Sequence, residues 1–169
     1  MDNRYLRNVL TVDTGDNTAI AYWKGDKFPI VTEINCPVWK LKQQNDQLKY
    51  MWMQFCITLK TIIMSDSICK VYFEGTNIYR SSLKSMTAAT RGNLTKLDYL
   101  IGGYANICCQ LYIDFEIITA QQWKGQMSKE ATRAKVFLLN GKYYESEHAI
   151  DAVGIGFGIM KMLNWRVEK

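Results

Sequence analysis

The sequence predicts one α/β domain over residues 1–169, built on a five-stranded mixed sheet with flanking helices. Three short apolar runs separated by turn residues open the chain, which is typical of an antiparallel meander. Later apolar runs alternate with helical segments, which favours strands four and five running parallel to strand one. A length of 169 residues suits a single domain with a full core.

The first half of the chain contains the meander and a long helix. Strands are predicted at residues 8–13, 18–23 and 28–34. Gly15 and Asn17 in the first connection can take positive φ, so this connection is predicted to be a turn. A helix is predicted over residues 38–64, because its apolar residues recur at intervals of three and four.

The second half alternates strands and helices. Strands are predicted at 68–73 and 112–119, helices at 93–111, 128–139 and 146–163, a basic polar segment at 75–92 and a loop at 121–127. Asn93 and Ser128 are suitable N-caps for the first two of these helices. Gly154, Gly156 and Gly158 each cost the last helix up to about 1 kcal/mol. They therefore predict a close approach of this helix to the sheet.

Three carboxylates lie in apolar surroundings on separate elements. Asp13 closes strand one, Glu74 closes strand four, and Asp151 lies in the last helix, three residues after His148. Asp13 could simply open a turn and Glu74 could be a strand-end charge in solvent, but carboxylates seldom end buried strands unless a cation or a partner neutralises them. The i, i+3 spacing places His148 and Asp151 on one helical face. Carboxylates suit Mg²⁺, and a histidine ligand also suits Mn²⁺.

The positive charge is concentrated in two segments of the chain. Residues 77–97 contain no acidic residue, and residues 120–142 contain only Glu130. Such asymmetry fits a polyanion-binding face, although solvated loops and helix faces are the better explanation of the charge runs taken alone. Together with the carboxylates it suggests metal-dependent phosphodiester cleavage, in which oxygen ligands hold two cations roughly 4 Å apart. The candidate DNA-binding cations are Arg80, Lys84, Arg91, Lys96, Lys124, Lys129 and Arg133.

Several classes of protein are excluded by the composition. The five cysteines form no C-x-x-C and mostly lie in apolar runs, so buried, reduced thiols in a cytoplasmic protein are expected. The N-terminus lacks a signal-peptide pattern, and no apolar run approaches the ~20 residues of a membrane span. The chain contains no P-loop and no strand-associated G-x-G-x-x-G, so no nucleotide cofactor is expected.

Three short motifs in order resemble the RuvC family of Holliday-junction resolvases, which belongs to the ribonuclease H-like superfamily. They are Val12-Asp13-Thr14-Gly15, Val71-Tyr72-Phe73-Glu74 and His148-Ala149-Ile150-Asp151-Ala152. The family usually has proline where Thr14 stands, and it carries Asp or His at the position of His148. The resemblance spans almost the whole chain, and it implies a ribonuclease H-like fold and a compact, bacteriophage-type crossover junction endodeoxyribonuclease. The implied location is the cytoplasm of a bacterial or phage-infected cell.

The resemblance also implies roles for individual residues. Asp13, Glu74, His148 and Asp151 would hold two Mg²⁺ or Mn²⁺ ions per active site. Lys124 and Lys129 would be the catalytic lysines near the scissile phosphate, with a spacing shorter than is usual in the family. Tyr79 and Arg80 resemble the family's junction-centre pair, in which the aromatic ring stacks on a base and the arginine holds a phosphate. A half-buried loop aromatic is an equally good interpretation of Tyr79.

The expected activity is paired symmetric nicking of a four-way DNA junction by a homodimer, since a two-fold substrate suits a two-fold protein. The helix at 93–111 is one candidate dimer surface. Two alternatives remain open: a related nuclease acting on flaps, forks, or replicating or packaged DNA, and a module that binds branched DNA without cutting it. A phosphotransferase of the actin and sugar-kinase type is disfavoured, because the chain is too short and has no second Asp-x-Gly.

Overall fold

The computed structural model describes residues 7–25, 28–37, 40–76 and 93–160. Within these residues one sheet is formed by β1 (Arg7–Asp13), β2 (Asn17–Lys24), β3 (Ile30–Asn35), β4 (Lys70–Gly75) and β5 (Asp114–Thr119). Its spatial order is β3-β2-β1-β4-β5. The pairs β1–β2 and β2–β3 are antiparallel, whereas β1–β4 and β4–β5 are parallel. The predicted five-stranded mixed sheet is therefore confirmed.

Helices cover both faces of the sheet. In the described residues they are α1 (Gln44–Ser65), α2 (Asn93–Gln110), α3 (Ala120–Lys124), α4 (Lys129–Asn140) and α5 (Glu147–Ile159). Helices α1 and α2 bury their apolar residues in one core with Val12 and Phe73, while α3, α4 and α5 contribute to a second core on the opposite face. Because successive strand side chains point to opposite faces, Asp13 and Glu74 face the second group of helices.

The core under α1 and α2 fixes the central strands. Leu48, Met51, Phe55 and Leu59 form the buried stripe of α1. The ring of Phe55 stacks on Tyr104 of α2, with 4.1 Å between the ring centroids. This packing holds β1 and β4 as neighbours, so that their carboxyl ends lie at the same edge of the sheet.

Several predicted boundaries and one predicted loop were wrong. Strands β3 and β4 begin at Ile30 and Lys70, two residues later than predicted, and β4 extends to Gly75. The long helix begins at Gln44 rather than at residue 38. Before it, the Pro37 carbonyl accepts hydrogen bonds from the backbone N–H groups of Lys40 and Leu41, and residues 38–39 are outside the described part. Strand β5 begins at Asp114, since Tyr112 has a φ of 55° and ends the preceding turn. The loop predicted at 121–127 contains α3, and α5 ends at Ile159, with residues 161–169 outside the described part.

Helix α3 was not predicted, because the sequence marks it by a capping box and not by apolar residues repeating every three or four positions. The Thr119 side chain accepts from the Gln122 backbone N–H, and the Gln122 side chain accepts from the Thr119 N–H. Gly125 then ends the helix with a φ of 61°, a conformation that favours glycine. The short helix directs Trp123 inward and Lys124 towards α5.

The close approach predicted from the glycines of α5 is confirmed. A Cβ on Gly156 would lie 2.1 Å from Cζ2 of Trp23 in β2. Gly154 and Gly158 approach Trp123 of α3 instead, because a Cβ on either would lie 2.6 Å from atoms of Trp123. The glycines therefore admit one tryptophan from the sheet and one from α3.

The prediction for the cysteines is only partly correct. All five are free thiols, and Cys36 and Cys108 are buried, but Cys69 and Cys109 are exposed at the ends of elements. Across the described residues, we find no helix that combines the length and apolar character needed to cross a membrane.

Candidate active site

The candidate site lies at the carboxyl ends of the two central parallel strands. Val12 of β1 pairs with Phe73 of β4, so the residues that follow them, Asp13 and Glu74, reach the same edge of the sheet. Both side chains point to the face covered by α5. Asp13 is largely buried, with 14% of its side chain exposed. The local sequence thus delivers two carboxylates to one place.

Helix α5 brings the remaining predicted ligands to this edge. Ser146 caps the helix by accepting from the Ala149 N–H. In the first turns after the cap, Nδ1 of His148 lies 2.6 Å from Oδ2 of Asp13, and the negative charge of Asp151 acts on Asp13. Asp13, Glu74 and Asp151 therefore interact electrostatically from three separate elements.

Two consecutive buried hydrogen bonds connect α5 to the sheet and fix the distance between them. Nε1 of Trp23 donates to Oγ1 of Thr11 at 2.9 Å, and that hydroxyl donates to the carbonyl of Ala152 at 2.7 Å. Thr11 and Trp23 belong to β1 and β2, so two strands hold the helical turn that carries Asp151. Since both the hydroxyl and the indole N–H are buried, losing either partner would leave a costly unpaired group.

Burial and mutual repulsion dominate the electrostatics of the carboxylates. The pKa of Glu74 is raised from 4.5 to about 7, first by burial and then by the charge of Asp13. The pKa of Asp13 is also raised by burial, although its hydrogen bond to His148 opposes the shift. In turn, the hydrogen bond to Asp13 raises the pKa of His148, with burial opposing. Ionising Asp13 and Glu74 in this site is therefore costly.

Trp123 and Lys124 complete the inner part of the site. Nε1 of Trp123 donates to Oε2 of Glu74 at 3.3 Å, and Nζ of Lys124 donates to Oδ2 of Asp151 at 3.2 Å. The same ammonium lies 4.5 Å from the Trp123 ring centroid. Trp123 was not among the predicted site residues. The signal that could have found it is a tryptophan beside a candidate catalytic lysine, together with glycines in α5 that leave room for a large ring.

The outer predicted cations occupy other positions. Lys129 is ion-paired with Glu147 and is largely exposed, although it lines a small cavity with Asp151. Arg133 lines the same cavity. Lys96 lies on the α2 side of the edge, where its Nζ is 2.6 Å from Oδ1 of Asp16. The predictions for Tyr79, Arg80, Lys84 and Arg91 fall outside the described residues.

The predicted metal ligands are hydrogen-bonded to other side chains. In the part of the chain that the structure describes, no three His, Cys, Asp or Glu side chains form a group able to hold a metal ion as they stand. His148 instead closes on Asp13, while Lys124 closes on Asp151. The donor chemistry still fits a divalent cation. Added positive charge would stabilise the ionised forms of Asp13 and Glu74, which burial and repulsion between carboxylates disfavour.

Comparisons with known proteins identify the fold. No protein-family model matches the sequence, and no curated protein sequence matches it. Solved structures with a similar fold include T. thermophilus RuvC in complex with a Holliday junction substrate, with a TM-score of 0.62 at 11% identity, over 89% of this chain and 90% of that chain. A Thermus thermophilus RuvC structure gives a TM-score of 0.60 at 12% identity, over 89% and 91% of the two chains. The chain therefore has a RuvC-like fold, as the sequence resemblance implied.

Proposed function

We propose that this protein is a metal-dependent, structure-selective DNA endonuclease that resolves four-way junctions by paired symmetric nicks. One observation carries the proposal. The fold brings Asp13, Glu74 and Asp151 from three elements to one edge, where burial and repulsion raise the pKa of Glu74 to about 7. Buried carboxylates that interact with a further carboxylate are typical of sites that act through cations. The likeness to a RuvC structure solved with a Holliday junction supports the choice of substrate.

Asp13, Glu74, Asp151 and His148 would hold the ions. When bound, Mg²⁺ or Mn²⁺ would supply positive charge to the scissile phosphate and acidify a water molecule. Asp13 orients the imidazole, because its Oδ2 contacts Nδ1 of His148 and leaves Nε2 as the nitrogen that can serve as a ligand. His148 must be neutral to act in this way.

The remaining residues would bind and orient the DNA. Lys124 reaches the carboxylates from α3, and its ammonium is placed to contact a phosphate that approaches Asp151. Lys129, which is exposed on α4, would contact the same strand farther out. Trp123 holds the Glu74 carboxylate through its indole N–H. Each of these roles is binding or positioning, which is the main contribution of a protein to phosphodiester cleavage.

Paired nicks require two active sites related by a two-fold axis, so we propose a homodimer with one site per subunit. The decisive experiment incubates the protein with a synthetic four-way junction, with and without Mg²⁺ or Mn²⁺, and maps the nicks. We expect symmetric nicks that require the metal. Duplex, flap and fork substrates of matched sequence are the controls, and equal cutting of all of them would support a less selective nuclease of the same fold.

One observation favours a second candidate, a module that binds branched DNA without cutting it. The ammonium of Lys124 already donates to Asp151, and its charge also acts on Asp13 and Glu74. A lysine in this position can neutralise a carboxylate cluster without a metal ion. Junction binding with no nicks after prolonged incubation in Mg²⁺ and in Mn²⁺ would support this candidate and contradict the nuclease.

A further inference from the structure

A cleft lies beside the candidate site, between α4 and the segment that enters α5. Its volume is about 460 Å³, within the range of pockets that bind small ligands. Phe137 and Tyr143 line it, and their side chains are 53% and 61% exposed. Two large aromatic side chains exposed in the lining of one cleft form an apolar patch, and such patches are often binding sites.

The charges around the cleft cancel. Lys129 donates to Glu147, and that hydrogen bond lowers the pKa of Glu147, with a smaller contribution from the charge of Arg133. Glu130 supplies the second acidic group of the lining. With two cations and two carboxylates, the cleft itself offers little net attraction to a phosphate. An uncharged, flat aromatic ligand suits it better.

The cleft continues towards the carboxylates. A narrower cavity shares Lys129, Arg133 and Glu147 with it and is also lined by Ile150 and Asp151. Lys129, Arg133 and Glu147 therefore lie between the aromatic cleft and the candidate active site. A ligand spanning both cavities would place a ring against Phe137 and Tyr143 and would extend past Lys129, Arg133 and Glu147 towards Asp151. A nucleotide of a DNA strand has this arrangement of base and phosphate.

We propose that the cleft is a nucleobase subsite, which takes one unpaired base adjoining the phosphate that is cut. The inference rests on the proposed nuclease function, because it is that function that brings a strand to Asp151. Stacking on an aromatic ring tolerates any base, since every base has a π-face. The subsite would therefore favour strands with accessible bases, such as those near a branch point, without selecting a sequence.

The test compares two fluorescent probes of about ten nucleotides, a length within the range that single-strand sites cover. One is oligothymidine, and the other is an abasic strand of the same length that keeps every phosphate but has no bases. Binding is measured by fluorescence anisotropy in EDTA, so that no cutting occurs. We expect wild type to bind oligothymidine about tenfold more tightly than the abasic strand, and Tyr143→Ala to lose this preference. Tyr143→Phe, which keeps the ring, should retain it.

The matched control is Tyr112→Ala. Tyr112 is 98% exposed and precedes β5, at the opposite edge of the sheet from the candidate site. Its removal should leave the preference unchanged. Circular dichroism and the melting temperature establish that each variant is folded, and Phe137→Ala provides a second substitution in the cleft.

Three results would overturn the subsite: equal binding of the two probes by wild type, an unchanged preference in both Tyr143→Ala and Phe137→Ala, or an equal loss in Tyr112→Ala. Junction cutting by wild type in Mn²⁺ is measured separately. Cutting without a base preference would contradict the subsite and leave the nuclease intact. A base preference that depends on Tyr143, with no cutting of any DNA, would contradict the nuclease and leave the base-binding cleft.

Discussion

The indole Nε1 of Trp123 donates a hydrogen bond of 3.3 Å to Oε2 of Glu74. The ring is seated against Gly154 and Gly158, where any larger residue would collide with it, and the ammonium of Lys124 lies over its face. One buried side chain thus connects the carboxylate of β4, helix α5 and a candidate catalytic lysine. A change at Trp123 should alter the site without removing any candidate metal ligand.

Trp123→Phe should weaken Mn²⁺ binding, because it keeps most of the ring but removes the N–H that holds Glu74. Groups that orient a ligand typically change metal affinity by about tenfold or more when they are lost. Isothermal titration calorimetry with Mn²⁺ measures the change. Trp52→Phe is the control, since the described residues supply no hydrogen-bond partner for the buried indole N–H of Trp52. Equal effects of the two variants would contradict the role given to Trp123.

Asp13→Asn, Glu74→Gln and Asp151→Asn should each reduce junction cutting by at least about a hundredfold, because each removes a charge that would hold a cation. Junction binding should change little, since it depends on phosphate contacts elsewhere. Cutting is followed on a labelled junction and binding by gel shift. Glu116→Gln, which removes an exposed carboxylate paired with Lys70, should cut as wild type does. Wild-type cutting by any of the three variants would remove that residue from the ligand set.

Glu74 should make the stability of the metal-free protein depend on pH. Its pKa is about 7 in the folded protein and near 4.5 in an unfolded chain, so folding binds a proton more tightly. The contribution of Glu74 to the free energy of unfolding is therefore fully present below pH about 4.5 and is lost as the pH rises through about 7. Glu74→Gln should therefore gain stability over wild type between these values, by at most about 3 kcal/mol. Urea unfolding in EDTA at pH 4.5 and pH 8 measures this gain, and a pH-independent difference would contradict it.

Protonation of His148 should compete with metal binding. Its hydrogen bond to Asp13 raises the pKa of the imidazole, so the charged form persists above the ordinary value near 6.5. Mn²⁺ affinity should thus decrease as the pH falls, starting above pH 6.5, because a protonated imidazole cannot be a ligand. His148→Asp should keep activity, favour Mg²⁺ and lose affinity only at lower pH. Identical pH profiles for the two proteins, or loss of all cutting in the variant, would argue against His148 as a ligand.

Gly156→Ala should destabilise the protein by about 1–3 kcal/mol, because its Cβ would lie 2.1 Å from the Trp23 ring. The collision also displaces the α5 turn held by Thr11, so cutting should fall together with stability. Gly102→Ala is the matched control. A Cβ on Gly102, which is exposed in α2, meets nothing within 4 Å, so this change should stabilise the helix by about 0.5–1 kcal/mol. Chemical unfolding of both variants tests the pair, and equal effects would contradict the close approach.

Local patterns in the sequence were enough to predict the sheet. Turn residues and the alternation of strands with helices are set by residues within a few positions of one another. They predicted five strands, the first three antiparallel and the last two parallel to strand one. The sequence also predicted Asp13 and Glu74 at the ends of their strands. Parallel neighbouring strands end at the same edge of a sheet, so this prediction implied that the two residues lie close together. The assignment of these residues as metal ligands stays a prediction.

Only the tertiary structure showed which side chains meet. Thr11 contacts Ala152 across 141 positions of sequence, and Trp123 contacts Glu74 across 49, so no local pattern encodes either contact. The pairing of Lys124 with Asp151 likewise depends on how α3 and α5 pack. Residue periodicity determines which face of an element is apolar, whereas the depth and rotation at which two elements pack depend on the shapes of all the side chains between them. The sequence determined where the carboxylates end their strands, and packing decided which partners hold them.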